Sequence, residues 1–277
     1  MTPTGALARR QATGSSFYLG MRSLPGPARE AIYAVYAFCR EVDDIADDWT
    51  GDRSLRAAEL EAWREDIRAL YAGGNPGRAA FLAHAITAFE LARSDFEAVI
   101  EGMAMDVVAD IRFPSSAELD RYCDRVASAV GRLCIRIFGM ESAAGIPLAE
   151  HLGRALQLTN ILRDIDEDAA VGRVYLPAEA ITAAGLPLGP ISQVIDDPRI
   201  DAACRIVAAR AAEHFVEAKR VLARRPSGHL VAPGLMAEVY AALLHRLERR
   251  GWAPPRRRVR HSRVALLWHM LNLRLGR

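Results

Sequence analysis

The chain has 277 residues, 51% hydrophobic and 25% charged, and its 36 basic and 34 acidic side chains leave a formal net charge of +2. That is globular composition, which excludes a wholly disordered or fibrous chain. No apolar run reaches the roughly 18 residues of a membrane-spanning helix, and MTPTGALARRQATGSS at the start has no apolar core of the secretory type.

Residues 1–14 are expected to be flexible. After the breakers Pro25 and Pro27, residues 27–48 place Ile32, Val35, Tyr36, Cys39 and Val42 three and four apart, the spacing of a helix with one apolar face. Further helices are predicted at about 55–72, 79–91, 95–105, 116–138, 145–168, 199–223, 233–249 and 260–275. Breaks fall at 73–77, 113–116, 184–198 and 225–228, and none is long enough to be a linker. Period-2 alternation is missing, and so is any G-x-G-x-x-G, which argues against a dinucleotide-binding sheet. The expected architecture is one all-α domain over 1–277, a helical bundle with room for a ligand between facing helices.

Two helix ends carry carboxylates. CREVDDIADD, residues 39–48, spaces Asp43 and Asp47 four apart on one face, with Asp44 and Asp48 rotated by one residue. Helix dipoles disfavour acids at a C-terminus, so something positive should compensate, and a divalent cation is the economical candidate. Oxygen-only donors point to Mg²⁺, or Mn²⁺, rather than zinc. No H-x-x-x-H pair occurs among the seven histidines, which leaves zinc without support. The second cluster is QLTNILRDIDED, residues 157–168, where Gln157 precedes the i,i+4 series Asn160, Asp164 and Asp168 on an otherwise apolar helix. Either cluster alone reads equally well as a solvated acidic helix end. Together they suggest Mg²⁺ ions held beside an apolar cavity, a site for an amphiphile with a phosphorylated head.

Arg40, Arg163 and Arg173 accompany the acids, as diphosphate contacts or as mere ion-pair partners. Lys219 is the single lysine, so nearly every cation is a guanidinium fork suited to phosphate. Genome base composition explains that bias as a whole. Tyr36 lies one turn before Arg40. Tyr122 opens a segment whose Ala127, Ser128, Ala129 and Gly131 either leave room for a ligand or allow close helix packing. The four cysteines are scattered without a C-x-x-C pair, which fits a reducing cytoplasm.

CREVDDIADD, YCDRVASAVG, LQLTNILRDIDED with the following GRVYLP, and SSFYLGMRSLP at 15–25 resemble the squalene/phytoene synthase family. The resemblance runs from about residue 15 to 263. It implies an all-α isoprenoid-synthase fold and Mg²⁺-dependent head-to-head (1′–1) condensation of two farnesyl diphosphates to presqualene diphosphate. Phytoene or dehydrosqualene formation, full squalene synthesis, and a non-catalytic assembly protein on the same fold are the alternatives. By motif, Asp43, Asp47, Asn160, Asp164 and Asp168 would be metal ligands. Arg40, Gln157, Arg163 and Arg173 would meet diphosphate. Ser16, Phe17, Tyr36 and Tyr240 would contact substrate, and Tyr122 would stand beside the reacting carbons. The resemblance leaves Asp44 and Asp48 open. NADPH is not expected for the presqualene step.

The tail from 255 to 277 carries seven arginines and no acid among apolar residues. It reads either as a membrane-surface helix at the inner face of the cell membrane or as a docked terminal helix with a solvated basic face. Nucleic-acid binding has no motif to support it.

Overall fold

The structure, a computed structural model, describes residues 17–48, 51–108 and 111–259, the side chains of 17–19 excepted. The helices follow in chain order as α1 (Phe17–Arg22), α2 (Gly26–Ala46), α3 (Arg53–Ala72), a 3₁₀ turn (Gly77–Leu82), α4 (Ala83–Phe89) and α5 (Arg93–Val108). Then come α6 (Ser116–Cys123), a π-helical turn (Asp124–Ser128), α7 (Ala129–Ile137), α8 (Ser142–Arg163), α9 (Ile165–Ala170), α10 (Ala178–Ala183), α11 (Ile191–Ile195), α12 (Ile200–Ala223) and α13 (Val231–Arg250). Among the described residues no strand forms; an isolated bridge joins Arg112 to Val174. The all-α expectation is met.

Local chemistry sets the boundaries. Pro27 sits in the first turn of α2, where its missing N–H costs nothing. Asp52 caps α3 by accepting from Ser54 N, and Gly73 ends it at φ +73°, a conformation that favours glycine. Ser115 and Glu118 close a capping box on α6.

Several predicted spans need correction. Helix 27–48 stops at Ala46, so Asp47 is its C-cap and Asp48 lies beyond it. Span 79–91 begins as a 3₁₀ turn, and 116–138 is interrupted by the π turn. Span 145–168 breaks at Asp164, which has φ −105° and ψ 20° and serves both as the end of α8 and the start of α9. Asn160, Asp164 and Asp168 therefore do not share one straight helical face, although Asp164 N and Asp168 N still bond the carbonyls four residues back. The expected break at 184–198 holds the short α11. The helix predicted over 260–275 and residues 1–14, predicted to be flexible, lie outside the described residues.

Two apolar cores form. The N-terminal one centres on Phe38, whose ring meets Trp63 and Phe96 edge-on at 5.4 and 5.1 Å. The C-terminal one is built from α8, α12 and α13, closed by the buried Trp252, whose Nε1 donates to Leu162 O at 2.8 Å. The small-residue stretch near 127–131 lies between the two. A Cβ on Gly153 would meet Ser128 Cα at 2.7 Å, and one on Gly131 would meet Ala149 Cβ at 3.0 Å. These helices touch backbone to backbone, which only such small residues permit.

Candidate active site

A chamber of about 310 Å³ runs between α1, α2, α7, α8 and α13. Much of its wall is apolar, from Leu24, Ile32, Val35, Val130 and Leu152 to Met236. Its polar groups include Tyr36, Arg40, Asp43, Gln157, Asn160 and Tyr240. Six residues predicted from sequence thus line one cavity, from three different helices. Ala127 and Gly131 also face it. The small residues both admit close packing and leave cavity wall, so the two readings of that stretch coexist.

The first carboxylate cluster is held by arginines. Arg40 donates to Asp43 at 2.6 Å and to Asp44 at 2.5 Å. The C-terminal carbonyl of α2, Ala46 O, accepts from Arg56 at 3.1 Å and Arg173 at 3.3 Å. These two guanidiniums supply positive charge at the helix end, where the sequence offered a divalent cation as the economical candidate and Arg173 as a diphosphate contact or an ion-pair partner. Arg173, buried to 4% exposure, also reaches Asp47 Oδ1 at 3.4 Å and Asp106 O at 3.2 Å.

The second cluster is partly arginine-bound too. Arg163 forks onto Asp164 and sits against the Tyr240 hydroxyl. From the basic tail, Arg258 pairs with Asp164 at 2.9 Å and Glu167 at 3.1 Å, and Arg256 pairs with Asp166 at 2.5 Å. Sequence reasoning placed these two arginines in a lipid-facing or solvated tail; they face the second acidic segment instead. The rest of the tail beyond 259 lies outside the described residues.

Burial, followed by the neighbouring Asp47 carboxylate, pushes Asp43 up to about 6, against the opposing pull of Arg40. Burial and Asp164 push Asp168 up to about 7. Asp106 adds to both shifts, so it lies near both clusters. Among the described residues no three His, Cys, Asp or Glu side chains already converge on one point as a formed metal cage. The donor chemistry nevertheless suits a hard divalent cation. Asn160 Oδ1 is buried with no hydrogen-bond partner among the described residues, and Asp43 and Asp168 carry charge at an energetic cost. Asp43, Asp47, Asn160, Asp164 and Asp168 could hold such an ion.

Tyr122 is buried, but it does not line the chamber. It faces a second cleft of about 520 Å³ together with Tyr175, on which its ring stacks at 4.9 Å between centroids. Both hydroxyls donate to one carboxylate, Tyr122 to Asp106 Oδ2 at 2.9 Å and Tyr175 to Asp106 Oδ1 at 2.7 Å. Asp106 and Tyr175 were missed by sequence reasoning. The available signal was an acid inside the apolar run GMAMDVV and a second tyrosine just after Arg173. Ser16 lies outside the described residues; Phe17 opens α1, with its side chain not described.

An all-α bundle enclosing a polar-headed, apolar chamber between two acidic segments defines an isoprenoid-synthase fold. It superposes on a dehydrosqualene synthase at a TM-score of 0.83 and 23% identity, covering 99% of this chain and 96% of that one. A squalene synthase from Alicyclobacillus acidocaldarius matches at a TM-score of 0.76 and 29% identity, over 91% and 95% of the two chains. The family model described as Squalene/phytoene synthase matches residues 10–265, and the chain belongs to that family. It is 54% identical to the presqualene diphosphate synthase of Zymomonas mobilis over 95% of this chain and 90% of the relative. The protein of that name from Rhodopseudomonas palustris is 51% identical over 96% of both. The phytoene synthase of Mycobacterium tuberculosis is 37% identical over 72% of this chain and 66% of its own length.

Proposed function

We propose that this protein is a prenyltransferase that condenses two molecules of farnesyl diphosphate head to head into presqualene diphosphate, releasing one diphosphate and one proton. The single observation that carries this reading is the match at 51–54% identity, along nearly the full length of both chains, to proteins named for that reaction, against 37% for a phytoene synthase. The chamber supports it physically, since a head of Arg40, Asp43, Gln157 and Asn160 continues into an apolar wall.

In this reading Asp43, Asp47, Asn160, Asp164 and Asp168 would hold Mg²⁺, which would supply charge stabilisation for a departing diphosphate. Arg40, Gln157 and Arg163 bind the diphosphate oxygens, with Arg173 fixing the end of α2 behind them. The carbon skeleton lies along Ile32, Val35 and Leu152, where water is kept from the allylic cation. The alkene of the second substrate attacks that cation, and loss of a proton closes the cyclopropane. Released diphosphate can take the proton, so no histidine or glutamate base is required. Tyr36 and Tyr240 border the head of the substrate.

Among the described residues no helix is long and apolar enough to cross a membrane. We assign to the tail beyond 259 a peripheral contact with anionic lipid on the cytoplasmic side, on the strength of Arg260, Arg263, Arg274 and Arg277 among leucines. The reaction is tested by giving the purified protein Mg²⁺ and either farnesyl or geranylgeranyl diphosphate. Presqualene diphosphate from the C15 substrate is expected. Phytoene from the C20 substrate would overturn the reading.

A further inference from the structure

Asp106 is an acid with 5% exposure inside α5, a helix whose other buried residues are Phe96, Val99, Ile100, Met103 and Val107 and one glycine. An ionisable group in such surroundings is costly unless it is fully partnered. Asp106 is partnered on both oxygens. Tyr122 and Tyr175 each donate an O–H to it, Arg173 Nε stands 3.8 Å from Oδ1, and the Asp106 carbonyl accepts from Arg173 as well. Arg173 in turn reaches Asp47 and the end of α2. One carboxylate therefore connects the tyrosine pair to the first acidic cluster.

The chemistry of the contact is specific to a carboxylate. Two phenols both donate, which requires an acceptor at each oxygen; an amide offers one acceptor and one donor. Burial and the Asp106 charge hold the Tyr122 hydroxyl well above its ordinary range, so Tyr122 stays a protonated donor rather than becoming a phenolate base. Burial drives Tyr175 the same way.

We propose that Asp106 is a positioning residue of this enzyme. It fixes both phenols as donors aimed at itself and, through Arg173, holds the tyrosine pair at a set distance from the diphosphate end of the site. The inference rests on the reading of the site as a prenyl-diphosphate centre and adds a residue that acts through Tyr122, not on substrate directly.

The test compares Asp106→Asn, Tyr122→Phe and the double variant in the full-length chain with Mg²⁺ and farnesyl diphosphate. Diphosphate release and the split between condensed product and free prenyl alcohol are both followed. Asp106→Asn is expected to lower kcat by about ten- to a hundredfold, the usual cost of removing a supporting partner. KM should stay within about threefold, and the alcohol fraction should rise as the diphosphate end of the site loosens. The double variant should be no slower than the slower single, since both act through one contact. Multiplying effects, or a kcat for Asp106→Asn above about a third of wild type, would overturn the proposal. If Asp106→Asn is not folded by circular dichroism, Tyr175→Phe with and without Tyr122→Phe takes its place, with the same non-additivity expected and multiplicative loss overturning it. The wild-type product decides the underlying reading separately. The ratio of variant to wild type can be read on whichever prenyl diphosphate the protein consumes.

Discussion

Replacing Gly153 by alanine probes how tightly the chamber is built. The new Cβ would lie 2.7 Å from Ser128 Cα, 2.8 Å from Ser128 N and 2.9 Å from Ser128 Oγ. Two of these three atoms are backbone, so no rotamer change relieves the clash. Ordinary contact begins near 3.4 Å, and α8 must therefore part from the π turn by roughly 0.7 Å. Overpacking of this kind costs about 1–3 kcal/mol. Alanine returns about 1 kcal/mol of helix propensity. The net loss is about 0–2 kcal/mol, and in a chain of this size each kcal/mol lowers Tm by about 2–4 °C. A fall of up to about 8 °C is expected in a thermal melt. Gly153 also lines the chamber one turn before Gln157, so turnover should fall with stability. Gly189→Ala, which meets nothing within 4 Å, serves as the control and should stay within about 0.5 kcal/mol of wild type. A Gly153→Ala protein about 1 kcal/mol more stable than wild type, the propensity gain with no clash against it, would refute the claim that α8 touches the π turn at its backbone.

Arg173→Met leaves the Asp106 carboxylate buried without its cation, and a loss of about 3–5 kcal/mol is expected in denaturant melts; a loss below about 1 kcal/mol would show that Arg173 does not join α2 to α5. Asp43→Ala with Asp164→Ala should abolish the Mg²⁺ response of turnover, and retained Mg²⁺-dependent activity would contradict the assigned ligands. Asp43 and Asp168 titrate in the folded chain near 6 and 7 against an ordinary 3.8, so the folded form holds protons more tightly than the unfolded one. Their stabilising contribution is present at low pH and is lost as pH rises from about 4 through 7. Mg²⁺ with diphosphate should accordingly raise Tm more at pH 7.5 than at pH 5.5, and an equal or reversed gain would refute this. Removing residues 260–277 keeps the paired Arg256 and Arg258 and should abolish flotation with anionic liposomes; equal flotation of both forms would remove the membrane contact.

Much of this molecule is legible in its sequence because its helices are long and periodic. Tyr36, Arg40 and Asp43 fall on one side of α2 by spacing alone, and Gln157 and Asn160 do so on α8. What spacing cannot give is the meeting of distant segments. Arg56 and Arg173 converge on Ala46 O from α3 and from a loop, and Arg258 returns to Asp164, through contacts between residues far apart in the chain. Periodicity also runs through a kink without registering it, which is why the series Asn160, Asp164 and Asp168 looks straight in sequence and breaks at Asp164 in space. Asp106 escaped for a different reason. One acid in an apolar helix carries no spacing signal, and its two phenol partners lie 16 and 69 residues further on.

The most direct test of the account is the product formed by the purified full-length protein from farnesyl diphosphate and Mg²⁺, with and without NADPH. Presqualene diphosphate in equal amount under both conditions is the predicted result. Squalene on addition of NADPH, or no condensed C30 product at all, would contradict it.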